Sequence, residues 1–297
     1  MTYMNKKIIA TAMSVFMIFG IAGCSADKDT AKDDNKVKIT VSINPVREFA
    51  QAVGGDKVDI SMLVPEGTEP HDFEPKAKGL DELTKSDIFV YTGAGMEDWI
   101  DKVLEVAESN DKLTVVDTSK NVNLIKENGK TDPHTWLSLK EAKNQSKAIL
   151  DALVKVDEKN KSYYEANYDK FSKELDTLYN DNEERFKNLK NKNFVTGHEA
   201  FGYLCRDFSL QQKSVEDMFG EGEATPKTLE SLASYCKGNN IKTIFSESLA
   251  SPKTSETLAN EAGAKVQKIY TLESKEDNLD YLQAMKKNLD EIYESLK

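Results

Sequence analysis

Histidine and cysteine are scarce in this 297-residue chain, with three of each. No C-x-x-C pair occurs, so the cysteines lack the spacing of a cysteine-held zinc site. The histidines form neither H-E-x-x-H nor H-x-H, which removes the usual sequence signature of a zinc peptidase. Basic residues are outnumbered 40 to 51, for a formal net charge of −11. Nucleic-acid partners are therefore not expected, because their affinity rests on neutralising phosphate with Lys and Arg. Long apolar runs are missing too. The only extended one lies at the start, residues 8–21, and at about 14 residues it is too short for a bilayer core that needs roughly 20.

That run follows Lys6 and Lys7 and ends on small residues at Ile21-Ala22-Gly23-Cys24. A basic start, an apolar middle and a small-residue end read as a secretory signal. Ile-Ala-Gly-Cys also resembles the bacterial lipobox, in which the cysteine becomes the new N-terminus and carries lipid. Residues 1–23 are then a signal peptide and Cys24 the anchor to the outer face of the cell membrane; a plain signal peptide with an accidental cysteine is the alternative. Two or more acyl chains hold a protein on a membrane stably, where one does so marginally. Loss of Lys6 and Lys7 takes the charge to −13 for the mature chain. Residues 24–36 are nearly all charged or small and read as a flexible tether. Cys205 and Cys236 belong to an exported chain in which a disulfide can persist. Both lie in helix-like stretches, and two buried free thiols are the default.

The rest, about 260 residues, suits two domains of ordinary size. Short β-rich runs at 37–43, 58–64, 88–93 and 113–118 alternate with helical ones at 45–53, 79–86 and 96–109. The second half repeats the order, with strands at 194–196, 212–215, 243–246 and 265–269 and helices at 199–208, 226–238 and 252–263. Such alternation predicts parallel sheets covered by helices. Thr225-Pro226 and Ser251-Pro252 each set a capping residue before a helix-starting proline. Between the halves Tyr164, Tyr168, Phe171, Leu175 and Leu178 recur every three or four residues in a charged stretch without Gly or Pro. One long amphipathic helix follows, over 158–191, with the pattern breaking at Asn182. The expected architecture is an α/β N-terminal lobe (37–157), a rigid connecting helix, and an α/β C-terminal lobe (192–297).

His71, His134 and His198 each stand beside a turn or strand end, in Glu69-Pro70-His71, Asp132-Pro133-His134 and Thr196-Gly197-His198. A lone histidine is more often structural than a ligand. In open α/β sheets, however, ligands bind beyond the carboxyl ends of the strands, where such loops converge. Three imidazoles from three loops would suit zinc, with a fourth position for a carboxylate or water. Spacing alone leaves both readings open.

Five separated stretches resolve the choice by resemblance: Pro-His-Asp-Phe-Glu-Pro around His71, Gly-Ala-Gly-Met-Glu-Asp-Trp-Ile at 93–100, Asp-Pro-His-Thr-Trp-Leu around His134, Gly-His-Glu-Ala-Phe-Gly-Tyr around His198, and 244–247. They resemble, in consistent order from Val37 onward, the zinc/manganese ABC-transporter solute-binding lipoproteins of the metal-binding cluster A-I type. The resemblance implies two α/β lobes joined by one long helix, with metal held in the cleft by His71 and His134 from the first lobe and His198 from the second. It also implies a membrane permease as partner, a monomeric chain, and no enzymatic activity.

The fourth ligand departs from part of the family. Manganese-type members have Tyr-Ser/Thr-Asp where this chain has Tyr270-Thr271-Leu272, and leucine cannot bind metal. The run Leu272-Glu273 resembles the loop ending of zinc-specific members, which makes Glu273 the candidate, with water as the alternative. Manganese-binding members commonly carry a carboxylate at the place of His198. Three nitrogens and one carboxylate tilt this chain towards Zn2+ over Mn2+. The histidine-rich loop of many zinc-binding relatives is absent from 121–131. Asp72, Asp132 and Glu199 adjoin the candidate ligands and either fix imidazole tautomers or cap helices. Trp99 and Trp136 are expected to pack beneath the cleft, and Glu247 to serve lobe packing. Two rivals remain, a zinc hydrolase and a surface adhesin. With a rigid connector, only a small closure of the second lobe or the Glu273 loop is expected on metal binding.

Overall fold

A computed structural model describes residues 36–127, 129–220, 225–249 and 252–297. The signal segment, Cys24 and Ser251 lie outside the described residues. The first half runs β1 (Val37–Val41), α1 (Asn44–Gly54), β2 (Val58–Met62), α2 (Ala77–Thr84), β3 (Ile88–Tyr91), α3 (Ile100–Ala107) and β4 (Thr114–Asp117). Its four strands are all parallel, in the order β2-β1-β3-β4. A small antiparallel hairpin, β5 (Lys126–Glu127) with β6 (Lys130–Thr131), leads to α4 (Leu139–Val156) and α5 (Lys161–Lys187). The second half runs β7 (Asn193–Thr196), α6 (Gly202–Phe208), β8 (Gln211–Ser214), α7 (Pro226–Gly238), β9 (Thr243–Ser246), α8 (Pro252–Ala262), β10 (Lys265–Lys268) and α9 (Tyr281–Leu296). Its sheet is also parallel, in the order β10-β9-β7-β8.

In both sheets the chain adds one strand to one side of the first and the next two to the other. This creates a switch point between β1 and β3 and another between β7 and β9, where loops diverge and leave a crevice. Strand composition explains the placement: Ile39, Val41, Ile88, Phe89 and Val90 are fully buried, as strands covered on both faces require. Pro45 lies in the first turn of α1, where its missing N–H costs nothing. Thr225 caps α7 by accepting from the Thr228 N–H at 3.1 Å, as the Thr-Pro pair predicts.

The 27-residue α5 spans about 40 Å at 1.5 Å per residue. It runs through Asn182 without a break, as the expected single helix requires. That side chain is buried, donates to the Leu178 carbonyl at 2.8 Å and accepts from Arg185 at 2.7 Å. The helix is not a bare spine either, because it packs on α1, α4 and α9. From the end of the chain, α9 returns to the first half, where Tyr281 meets Phe49 edge-on at 4.9 Å. One hydrophobic core consequently runs through the first sheet, α5, α9 and residues of the second half such as Phe194, Phe201 and Phe245. A smaller core, with Val195, Leu232, Ile244 and Leu258, lies in the second half. Cys205 and Cys236 are buried free thiols, one in each core, so the default holds over the disulfide.

Candidate metal centre

The three histidines and Glu273 converge where the carboxyl ends of the two sheets face each other. His71 follows β2, His198 follows β7 and Glu273 follows β10, while His134 enters on the loop before α4. One ligand atom from each of His71, His134 and Glu273 lies within 4.8 Å of the others. His198 is outside that mutual set, though its Nε2 is 3.4 Å from His134 Nε2 and 3.9 Å from Glu273 Oε1. All four residues are buried, at 0–7 % exposure. Both ring nitrogens of His71 and Oε1 of Glu273 have no hydrogen-bond partner. Buried unpaired polar atoms are costly, and a cation at their centre would satisfy Glu273 Oε1 and one ring nitrogen of His71.

Each donor is positioned by identifiable contacts. Asp132 Oδ1 accepts the His134 backbone N–H at 2.9 Å and lies 2.9 Å from its Nδ1, leaving Nε2 to face the cluster. Tyr203, from the second half, donates to the Asp132 carbonyl at 2.7 Å. Residue 202 has to be glycine for this approach, since a Cβ there would stand 2.5 Å from Asp132 Oδ2. Trp136 packs on His134 with ring centroids 5.3 Å apart and donates its indole N–H to the Thr271 carbonyl at 2.7 Å. Trp99 donates to the Pro70 carbonyl at 3.0 Å and so holds the His71 turn. Both tryptophans thus lie under the cleft, as expected, but they act as fasteners of the ligand loops as well as core.

Glu247 does more than pack lobes. Its carboxylate accepts the backbone N–H groups of Gly197 at 3.1 Å and His198 at 3.3 Å, and Oε1 lies 3.8 Å from His198 Nδ1. It therefore anchors the His198 backbone, while its distance from the ring exceeds the 2.9 Å hydrogen bond between Asp132 and His134. The two neighbouring acids do not share this arrangement. Asp72 is exposed and does not hydrogen-bond the His71 ring. Glu199 faces Glu127, Asp132 and Asp217, which with burial push its carboxyl pKa up. Adjacency in sequence suggested Glu199, whereas adjacency of β7 and β9 in the sheet supplies Glu247.

The loop of Glu273 is the most tightly held. Asn44 donates to the Leu272 carbonyl at 2.9 Å, and the Gly67 N–H donates to Ser274 Oγ at 2.7 Å. Asn288 brackets Tyr270, accepting its N–H at 2.9 Å and donating to its carbonyl at 2.7 Å. Leu272 has φ 65°, a left-handed conformation that costs a non-glycine residue of order 1 kcal/mol or more. The surrounding bonds hold that strain. This tethering argues against movement of the Glu273 loop itself and leaves closure to the lobes.

Charge follows from the same contacts. Burial would strip His134 of its proton, but hydrogen bonds and charge from Asp132 and Glu273 reverse this and lift its pKa to about 9. Burial pushes His198 down to about 4, with the His134 and His71 charges adding to it against Glu273. Burial and His134 also lower His71. Glu273 is held well below the carboxylate range: burial opposes ionisation, and the three imidazoles outweigh it. The metal-free cluster at neutral pH is thus one imidazolium–carboxylate pair with two neutral imidazoles ready to donate.

The mouth of the site is lined by His71, Asp72, Asp98, Lys130 and Phe219. Phe219 lies edge-on over His71, centroids 5.4 Å apart, and Lys130 Nζ sits 4.8 Å over the Phe219 ring. Lys130 also pairs with Asp217 at 3.5 Å.

Two parallel sheets closing on a buried His/carboxylate cluster define a two-lobed metal-binding receptor, not a catalytic cleft. The family described as the periplasmic zinc-uptake complex component A, ZnuA, matches residues 39–295, and the chain belongs to it. The high-affinity zinc uptake system protein ZnuA of Bacillus subtilis is 33% identical over 305 residues, covering 95% of this chain and 94% of that protein. The laminin-binding protein Lmb of Streptococcus agalactiae, titled as both adhesin and metal transporter, has TM-score 0.81 at 31% identity, covering 88% of this chain and 100% of that one. The Zn(II)-bound ZnuA-like domain of Streptococcus pneumoniae AdcA has TM-score 0.78 at 32% identity, covering 88% and 99%. Members of the family are non-enzymatic parts of an extracytoplasmic uptake complex, which implies a permease as partner and a metal ion as cargo.

Proposed function

We propose that this chain captures Zn2+ outside the cell through His71, His134, His198 and Glu273 and hands it to the permease of an ABC importer. The observation that carries this reading is the buried convergence of these four residues, with no hydrogen-bond partner for the His71 ring nitrogens or Glu273 Oε1. Zinc accepts three imidazoles and one carboxylate, and the ZnuA and AdcA relatives carry zinc in their names. Four protein donors leave no open position for an activated water, which disfavours a hydrolase. Lmb is described as bifunctional, with adhesin and metal-transporting activity, so adhesion does not compete with capture.

We further propose Cys24 as the lipid anchor, residues 24–36 as its tether, lobes at 37–157 and 192–297 about a 158–191 connector, and a monomer. The lipoprotein names of pneumococcal AdcA support the anchor. The deciding measurement is zinc competition on wild type and Glu273→Ala. The wild type should retain zinc against manganese, and the variant should lose at least about 100-fold in affinity, more than a ligand's supporting partner costs. Equal affinity in both would assign the fourth position to water.

A further inference from the structure

The two oxygens of the Glu273 carboxylate are in unequal states. Oε2 accepts the Thr271 hydroxyl at 2.8 Å. Oε1 has no hydrogen bond and lies 3.5 Å from His134 Nε2 and 3.9 Å from His198 Nε2. Thr271 and Glu273 are 1 % and 4 % exposed, so little water competes for either oxygen. The backbone around Thr271 is held, since its carbonyl takes the Trp136 indole N–H at 2.7 Å and its neighbours are bonded by Asn44 and Asn288. Leu272, between Thr271 and Glu273, is in the left-handed conformation.

We propose that Thr271 sets the coordination mode of Glu273, presenting one oxygen to the ion, and thereby favours zinc over manganese. This rests on the metal-capture reading above. A carboxylate can bind a cation through one oxygen or both. With Oε2 engaged by a donor, the cluster offers three nitrogens and one oxygen, a four-coordinate set that suits zinc. Manganese favours six-coordinate, oxygen-rich surroundings and would need Oε2 as well. Thr271 is a positioning residue, acting through Glu273 without touching the ion.

Thr271→Val keeps the shape and removes the donor, Thr271→Ala removes it in a smaller side chain, and Thr271→Ser retains it. Each purified protein is stripped of metal, loaded with Co2+, and assayed for zinc and manganese affinity. Four-coordinate Co2+ absorbs visible light strongly, and higher coordination weakens the band. Wild type and Thr271→Ser should show the strong band. Thr271→Val and Thr271→Ala should show a weakened one, with the zinc-to-manganese affinity ratio reduced about tenfold, the worth of a hydrogen bond to a charged group. A strong band and unchanged ratio in both donor-free variants, or equal weakening for all metals with the spectrum intact, overturns the proposal. Failure of the wild type to bind zinc would instead overturn the capture reading.

Discussion

Replacing Asp132 by asparagine keeps the side chain's shape and removes its charge, which separates two effects on His134 that act in opposite directions. The carboxylate lies 2.9 Å from Nδ1 and makes Nε2 a stronger donor to metal. Loss of such a partner costs about 10–100-fold in affinity, or about 1.4–2.7 kcal/mol. The same carboxylate helps lift the pKa of His134 to about 9, and the proton must leave before Nε2 can bind. Below that value the affinity of the wild type falls about tenfold per pH unit, so at pH 7 proton competition weakens it about 100-fold. Asp132→Asn lowers the proton affinity together with the metal affinity, and competition at pH 7 shrinks. The deficit of the variant should therefore be largest at pH 9 and narrow towards pH 7. Competition with a chromophoric chelator at pH 7, 8 and 9 measures both curves. A gap of constant size across this range refutes the proton argument, and no gap at pH 9 refutes the role of Asp132.

Phe219→Ala uncovers His71 and removes an aromatic contact worth about 1 kcal/mol; zinc release into excess chelator, followed by stopped flow, should quicken about fivefold, and an unchanged rate would discount Phe219 as a cover. Tyr281→Phe takes away the 2.6 Å bond to the Trp136 carbonyl and leaves that buried acceptor unsatisfied. Denaturant unfolding should show a loss of about 1–3 kcal/mol, and no loss would place water at the carbonyl. Because one core runs through both halves and α5, X-ray scattering with and without zinc should give closely similar profiles; marked compaction would refute the small-closure argument.

Much of the fold was legible because parallel strands buried on both faces leave apolar runs that short-range reading detects. All eight sheet strands fall within one to two residues of their expected ends. Local pattern did not single out α4 and α9, which, like α5, pack against several elements at once. Tyr281 and Met285, for example, have no meaning until α9 returns to meet Phe49 and α5. The helix through Asn182 was legible even though the apolar spacing stops there, and the Asn182 amide is consumed within the helix by Leu178 and Arg185.

The site divides along the same line. The histidines stood out because they are rare, and resemblance brought Glu273 to them. The residues that hold them are another matter. Asp132 was findable, since an aspartate two residues before a histidine can bond its backbone and ring together. Glu247 reaches His198 across 49 residues, through the pairing of β7 with β9 that no local signal encodes. Asn44 reaches Leu272 across 228, from the start of the first half to the end of the second. A donor can be guessed from its chemistry, but its orientation belongs to the tertiary fold. On the proposal above, that orientation, with Oε2 of Glu273 bonded to Thr271 and Oε1 free, sets the preference for zinc over manganese.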